Sequence, residues 1–370
     1  MTPKQALPAP TASNPTTLDE IADLVVQRGA APCAAVAVAR RLQGLFHVLA
    51  GVAGTRAAPA PIFDLASVTK PFVAVTAARL VRRGLFEPNA PLGQLLPEVA
   101  GTPSGHVPFV AFLAHRAGLE AHRPMFAPLV EGRPVERSAF LAEAAGARRD
   151  DCRSDFPAGG FPPLYSDLGY LLVGAALECV SATALDVLVE REVCGPLGLE
   201  VRSARLWLAE SPDFSERVLP TETVPFRGGT IRGVTHDENA WGFAGHGLAG
   251  HAGLFGTAES VARFGAAVLD ALAGRSESFL APAEIELLVA ERVGGSLRAG
   301  FDGKSGPNSA AGTRSSAKTF GHLGFTGTSL WCDPIAERVT VLLSNRVCPS
   351  RENLGIRALR PEVHDLLYGA

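Results

Sequence analysis

Phe63-Asp64-Leu65-Ala66-Ser67-Val68-Thr69-Lys70-Pro71-Phe72 sets a serine three residues ahead of a lysine, at the mouth of a long apolar segment. Residues three apart on a helix share a face, so the hydroxyl and the amine can meet. Pro71 is accommodated in the first helical turn, where backbone donors lack partners in any case. Phe72, Val73, Val75, Ala77, Ala78, Leu80 and Val81 then run on to Gly84. This pattern is apolar nearly all round and predicts a buried helix. Lys70 therefore enters the protein with little water around it. Desolvation favours the neutral amine, which can take the proton of Ser67. The helix N-terminus favours negative charge developing beside that serine.

A second copy of the pattern, Ser315-Ser316-Ala317-Lys318, lies in a Gly/Ser-rich stretch with no apolar helix behind it. It reads as a solvated loop. Lysine is otherwise scarce: Lys4 and Lys304 complete the set, and arginine greatly outnumbers it. A lysine at the root of a buried helix thus stands out from the background.

The chain has 370 residues, 47% of them hydrophobic and 19% charged, with a formal net charge of -3. This is the balance of a globular protein of one large or two modest domains, and it gives nucleic acid or an acidic membrane no foothold. The six cysteines form no Cys-x-x-Cys pair, and Cys33, Cys179 and Cys332 fall in apolar stretches where a thiol behaves as a small hydrophobe. Residues 1–15 are Pro/Ala/Thr-rich, read as a disordered tail, and lack the apolar core of a signal peptide. A reduced, cytoplasmic protein is the expectation.

Thr17-Leu18-Asp19-Glu20 fits a capping box opening an amphipathic helix. Cys33 to Ala39 and Leu45 to Val52 read as a hairpin. The chain from Glu87 to about Val218 is mostly helical in pattern, clearest over Leu168 to Val180 and Leu185 to Val193. Thr221 to Gly256 reads as Gly-rich loops, Ser260 to Leu272 as a helix, and Gly300 to Lys318 as a surface loop. Thr319 to Gly324, Ser329 to Asp333 and Arg338 to Ser344 read as strands, and Pro361 to Tyr368 as a closing helix.

Strands thus gather at both ends of the chain and helices in the middle. The economical fold is α+β, a central antiparallel sheet flanked by helices with a helical domain inserted. The expected division is a sheet domain from 16–86 and 225–370 and a mainly helical domain over 87–224, with the active site between them.

Three stretches bear on Ser67. Tyr165-Ser166-Asp167 precedes the Leu168 helix. A phenol against Lys70 loses its proton more readily and can serve as base or acid; taken alone, the stretch favours the plainer reading of a tyrosine at a helix start. His322-Leu323-Gly324-Phe325-Thr326-Gly327-Thr328 ends a strand. An acyl group can lie along Gly324, with the amides of Phe325 and Ser67 as a two-donor oxyanion hole. The third is the Gly/His region, where His236, Asp237, His246 and His251 invite a metal reading. Their spacing matches no metal pattern, and a substrate-lining or hydrogen-bonding loop is the expectation, with His251 as its substrate-binding candidate. The Gly-x-Ser-x-Gly elbow is absent, and Gly303-Lys304-Ser305 is not a phosphate loop.

The order Ser67-x-x-Lys70, Tyr165-Ser166-Asp167, His322-x-Gly324 resembles the penicillin-recognising serine hydrolases: class C β-lactamases, D,D-peptidases and related esterases. Leu113-Ala114-His115-Arg116-Ala117-Gly118-Leu119 and Gly250-His251-Ala252-Gly253-Leu254-Phe255 support it, and it spans the chain from about residue 17. The resemblance implies that Ser67 is acylated, that Lys70 and Tyr165 share the proton work, and that the Ser67 and Phe325 amides hold the oxyanion. It places Asp167 where an asparagine usually binds the substrate amide, and His322-Leu323 where a Lys-Thr pair grips the substrate carboxylate. Asp167, His322, Gly324 and His251 are thereby the substrate-binding candidates. His322 is a cation only below a pKa near ~6.5, Leu323 has no hydroxyl, and an ionised Asp167 cannot donate. The expectation is hydrolysis of small esters or amides, D-amino-acid peptides among them, with weak or no β-lactamase activity. The alternatives are a D,D-carboxypeptidase or β-lactamase proper, or a penicillin-binding sensor without turnover. No cofactor or metal is expected; the expected partner is a small-molecule or short-peptide substrate, with no nucleic acid and no membrane.

Overall fold

A computed structural model describes residues 17–276 and 278–370; the tail expected over 1–15 lies outside them. Helix α1 (Leu18–Gln27) opens on the expected capping box, with Thr17 Oγ1 accepting from Glu20 N at 3.2 Å and Glu20 Oε2 from Thr17 N at 3.0 Å. Strands β1 (Ala34–Leu42) and β2 (Leu45–Ala53) form the hairpin, in register to Leu42–Leu45. Short strands β3 (Phe63–Asp64) and β4 (Val201–Ser203) are joined through β7 (Leu254–Gly256), while β5 (Pro220–Val224) and β6 (Gly229–Arg232) pair separately. The remaining strands are β8 (Asp302–Gly303), β9 (Phe320–Leu323), β10 (Ser329–Asp333) and β11 (Arg338–Ser344).

The main sheet is antiparallel and runs β2-β1-β11-β10-β9-β8, so N- and C-terminal strands interleave. Period-two alternation sends β1 side chains to two layers. Val36 and Val38 join Leu342 against Ile21 and Val25 of α1 and Ile356 and Val363 of the C-terminal helix. Ala35, Ala37 and Ala39 face the larger core with Val261 and Phe264. Helix α2 (Thr69–Arg82) runs through that core with eleven buried residues, Lys70 among them. It packs beside α3 (Asp167–Ser181), and α4 (Glu238–Ala244), α5 (Ala258–Leu272) and α6 (Gly355–Gly369) follow in sequence. Between α2 and α3 lie only short helices, such as Phe109–Leu113 and Arg137–Gly146.

Four expectations need correction. The stretch 221–256 is not loop throughout: it carries β6, α4 and β7. Helix α6 begins at Gly355 and holds Pro361 inside it. Cys179 is exposed, on the outer side of α3. Ser315 is buried and bonded to Lys304 Nζ at 3.1 Å, while Lys318 turns out to Glu291, so the second Ser-x-x-Lys brings no hydroxyl to its lysine.

Among the described residues no single helix is long and apolar enough to cross a membrane.

Candidate active site

Ser67 sits in a single 3-10 turn, Ala66–Val68, between β3 and α2. The turn is strained, because Ala66 holds φ 47°, a region that alanine rarely enters. Four hydrogen bonds hold it there. Asp64 Oδ1 accepts from Ala66 N at 2.8 Å, and Leu65 N donates to Leu254 O at 2.9 Å. Thr326 Oγ1 donates to Asp64 O at 2.8 Å, and Thr328 Oγ1 to Leu65 O at 2.9 Å. The Thr326–Thr328 turn after β9 thus braces the nucleophile directly. Gly324 serves this brace, since a Cβ there would lie 1.9 Å from Thr328 Oγ1 and 2.7 Å from Leu65 O. Its lack of a side chain makes room for Thr328, and Gly324 also borders the cavity that contains Ser67.

Lys70 is fully buried. Its Nζ lies 2.9 Å from Ser67 Oγ, 2.7 Å from Asp167 Oδ1 and 3.2 Å from His251 O. An amine that has lost its proton offers two N–H groups and one lone pair. The carboxylate and the carbonyl can only accept, so they claim both N–H groups and leave the lone pair facing the Ser67 hydroxyl. Burial pushes the Lys70 pKa below that of an ordinary lysine, against the opposing pull of the Asp167 charge.

His251 reaches this position because its loop packs on α3. A Cβ on Gly250 would lie 1.8 Å from Tyr170 O, so only glycine allows the approach. Its ring is buried and paired through Nε2 with Asp237 Oδ1 at 3.0 Å. His251 is therefore not a substrate-lining residue; its backbone carbonyl serves Lys70, and Ala252 borders the cavity in its place.

Tyr165 lines the cavity beside Ser67, and its ring centroid lies 4.8 Å from Lys70 Nζ. Desolvation first, and then the Asp167 charge, push its pKa well above that of a free phenol. The expectation that Lys70 would ease its deprotonation is thereby reversed. Its ring stacks on His115, centroids 4.7 Å apart. His115 Nδ1 accepts from Ser166 N at 3.0 Å, which fixes a neutral ring. His115 stood in a sequence stretch quoted only for its resemblance, and no local signal gave it this supporting role.

His322 is buried, its Nδ1 donating to Leu323 O at 2.7 Å, and burial beside Lys70 pushes its pKa down to about 3. It is neutral where the expectation allowed a cation. The Phe325 N–H takes no backbone acceptor among the described residues, in keeping with an oxyanion donor. Asp167, His322, Gly324 and Phe325 all border the cavity that contains Ser67, about 620 Å³ in volume.

Other lining groups were not anticipated: Phe126, Asp302, and the arginines 346, 351, 357 and 360. The Arg357 and Arg360 pair, three apart on one helix, was the available signal. Nor do the histidines of the Gly/His region converge. His236 Nε2 is bonded to Glu222 at 2.9 Å and His251 to Asp237, and no cluster of three such side chains able to hold a metal occurs among the described residues.

A model of the beta-lactamase family matches residues 18–363. The chain belongs to that family. This beta-lactamase-family protein is 26% identical over 311 residues to a putative D-alanyl-D-alanine carboxypeptidase of Escherichia coli (strain K12), covering 79% of this chain and 70% of the relative. It is likewise 26% identical over 306 residues to an N-acetylmuramyl-L-alanine amidase of Bacillus subtilis (strain 168), covering 77% and 68%. Among solved structures, EstCE1, a hydrolase with promiscuous acyltransferase activity, superposes with TM-score 0.69 at 20% identity, covering 95% of this chain and 97% of that one. A penicillin-binding protein homolog from Caulobacter crescentus gives TM-score 0.68 at 20% identity, covering 95% and 96%. The family is one of penicillin-recognising serine hydrolases, its fold is β-lactamase/transpeptidase-like, and the chain is a hydrolase of that kind.

Proposed function

We propose that the protein forms an acyl-enzyme on Ser67 and hydrolyses small esters or amides, D-amino-acid peptides among them, with little β-lactamase activity. The observation that carries this is the threefold setting of Lys70 Nζ among Ser67 Oγ, Asp167 Oδ1 and His251 O. It aims one lone pair at one hydroxyl.

Lys70 takes the Ser67 proton as Oγ attacks the carbonyl carbon, and the Phe325 and Ser67 amides receive the oxyanion. Tyr165 keeps its proton at rest, so it acts as acid: it protonates the departing group and is resupplied from Lys70. Deacylation runs this path in reverse with water in the place of the leaving group: Tyr165 takes the water proton as it passes its own to Lys70, and Lys70 returns a proton to Ser67 Oγ as the acyl bond breaks.

Two features weigh against β-lactams. The strand that would grip their carboxylate carries a neutral His322 and Leu323. Asp167 is spent on Lys70 and, ionised, offers a substrate amide no donor. A D,D-carboxypeptidase is the second reading, favoured by the similarity to putative D-alanyl-D-alanine carboxypeptidases.

The test is incubation with p-nitrophenyl acetate and, separately, with a fluorescent penicillin, followed by intact mass. Ester turnover with at most slow penicillin labelling supports the reading. A stable penicillin adduct without ester turnover supports a sensor. Unchanged turnover in Ser67→Ala removes the mechanism.

A further inference from the structure

We propose that the part of the cavity bordered by α6 is a subsite for a doubly charged oxyanion group on the substrate, a phosphate monoester or a pair of carboxylates, read by Arg357 and Arg360 with Arg346 beside them. The proposal rests on the reading that the Ser67 cavity binds the substrate.

Four guanidiniums border the cavity there: Arg346, Arg351, Arg357 and Arg360. Two carboxylates answer them, and both answer the same one: Arg351 pairs with Glu222 at 2.6 Å and with Glu238. Arg346 makes no ion pair: it donates to Phe325 O at 2.7 Å, Asn353 O at 2.8 Å and Arg351 O at 2.9 Å, and the Glu222 charge that Arg351 holds reaches it only from farther off. Arg357 is exposed and joins no ion pair among the described residues.

Arg360 is the decisive residue. It is only 7% exposed, it donates through Nη2 to Gly324 O at 2.9 Å and Thr328 O at 3.2 Å, and its buried Nε has no partner. The charges acting on it are those of Arg346 and Arg357, both repulsive, with no acid among them. Its pKa drops to about 10, which leaves it a cation at neutral pH. The other acids of the cavity, Asp167, Asp237 and Asp302, act on Tyr165 instead.

A buried guanidinium without a carboxylate is costly unless a ligand supplies the counter-charge. Four cations against two anions leave an excess of two, which a single carboxylate does not cancel and a dianion does. Arginine's planar fork suits phosphate and carboxylate alike. Because Arg360 is tied to Gly324 O, one residue before the Phe325 amide, the charged group lies close to the bond being cleaved. The anion grip thus moves from the strand, where His322 and Leu323 supply no cation, to the helix beside it.

The experiment uses the full chain at pH 8 and constant ionic strength. Inorganic phosphate, succinate and acetate are each tested as inhibitors of p-nitrophenyl acetate hydrolysis, and their binding is measured by isothermal titration without ester. Competitive inhibition by phosphate or succinate, about tenfold tighter than by acetate, is expected. Phosphate alone points to a phosphate ester, and succinate alone to a dicarboxylate; both acting supports the shared dianion chemistry. Arg357→Ala should weaken dianion binding about tenfold and acetate binding less. Arg360→Gln should weaken it further, read only if its thermal melting shows a folded protein; the exposed Arg357 keeps the test decisive if it does not. Equal binding of acetate and the dianions overturns the proposal, as do dianion constants unmoved by Arg357→Ala or an absence of anion binding. Failure of the Ser67 reading looks different: the parent protein shows no ester turnover, or turnover persists unchanged in Ser67→Ala, while titration still reports on the subsite.

Discussion

Lys70 Nζ and Asp167 Oδ1 stand 2.7 Å apart, the lysine wholly buried and the aspartate partly exposed to the cavity. The carboxylate favours the ammonium, and burial favours the amine. Asp167→Asn removes only the first influence. The rising limb of kcat/KM against pH should then move down by about one pH unit or more. A limb that stays in place, or moves up, would show that Lys70 is not the base.

Tyr165→Phe removes the acid while keeping the ring on His115. Turnover of p-nitrophenyl acetate should fall on the order of 10²-fold. The loss should be greater for amides, whose leaving group needs a proton, than for this activated ester. Equal losses on both substrates would deny Tyr165 the acid role.

Gly324→Ala forces a methyl group onto Thr328 Oγ1 and Leu65 O. Overpacking of this kind costs about 1–3 kcal/mol. Urea unfolding should show it, and activity should fall as well because the Ser67 turn loses its brace. A variant as stable and active as the parent would contradict the bracing described for Thr328.

Acid should destabilise the protein through its buried histidines. His322 and His364 are both pushed down to about 3 from an ordinary 6.5. Between those values the unfolded chain binds more protons than the native one, so stability falls as pH falls from 6.5 toward 3. Each histidine contributes a slope of about 1.4 kcal/mol per pH unit. His364, bonded to Ser329 and Thr340 away from the cavity, isolates one of them. In His364→Gln, urea midpoints at pH 7 and pH 5 should differ by correspondingly less; an unchanged difference would rule it out as a source.

The sheet was readable because its strands alternate or run apolar over lengths that only strands explain, and the Lys70 helix because it is apolar on every side. The pairing of Ser67 with Lys70 followed from their spacing, and Tyr165 joined them only through the family resemblance. What spacing could not carry is direction. Nothing local says that His251 turns its ring to Asp237 and its carbonyl to Lys70, because that depends on Gly250 meeting Tyr170. Protonation was harder still. His322 and Tyr165 were read from their ordinary acidities, whereas desolvation dominates both. Arg357 and Arg360 lay ahead of the closing helix expected from Pro361, and only the fold, in which α6 begins at Gly355, brings them to the Ser67 cavity.

The pairing of Ala34 with Ser344 places the middle of the sheet at the junction of two distant parts of the chain. Helix α1 and the β1–β2 hairpin emerge early in synthesis and expose Val36 and Val38 until β11 and α6 arrive to cover them. Closing contacts across about three hundred residues raises the contact order and so slows folding. The central sheet therefore completes only after β11 has left the ribosome, and the N-terminal hairpin waits as an open, adhesive edge. Expression yield should depend more on chaperone supply during that interval than on the stability of the finished fold.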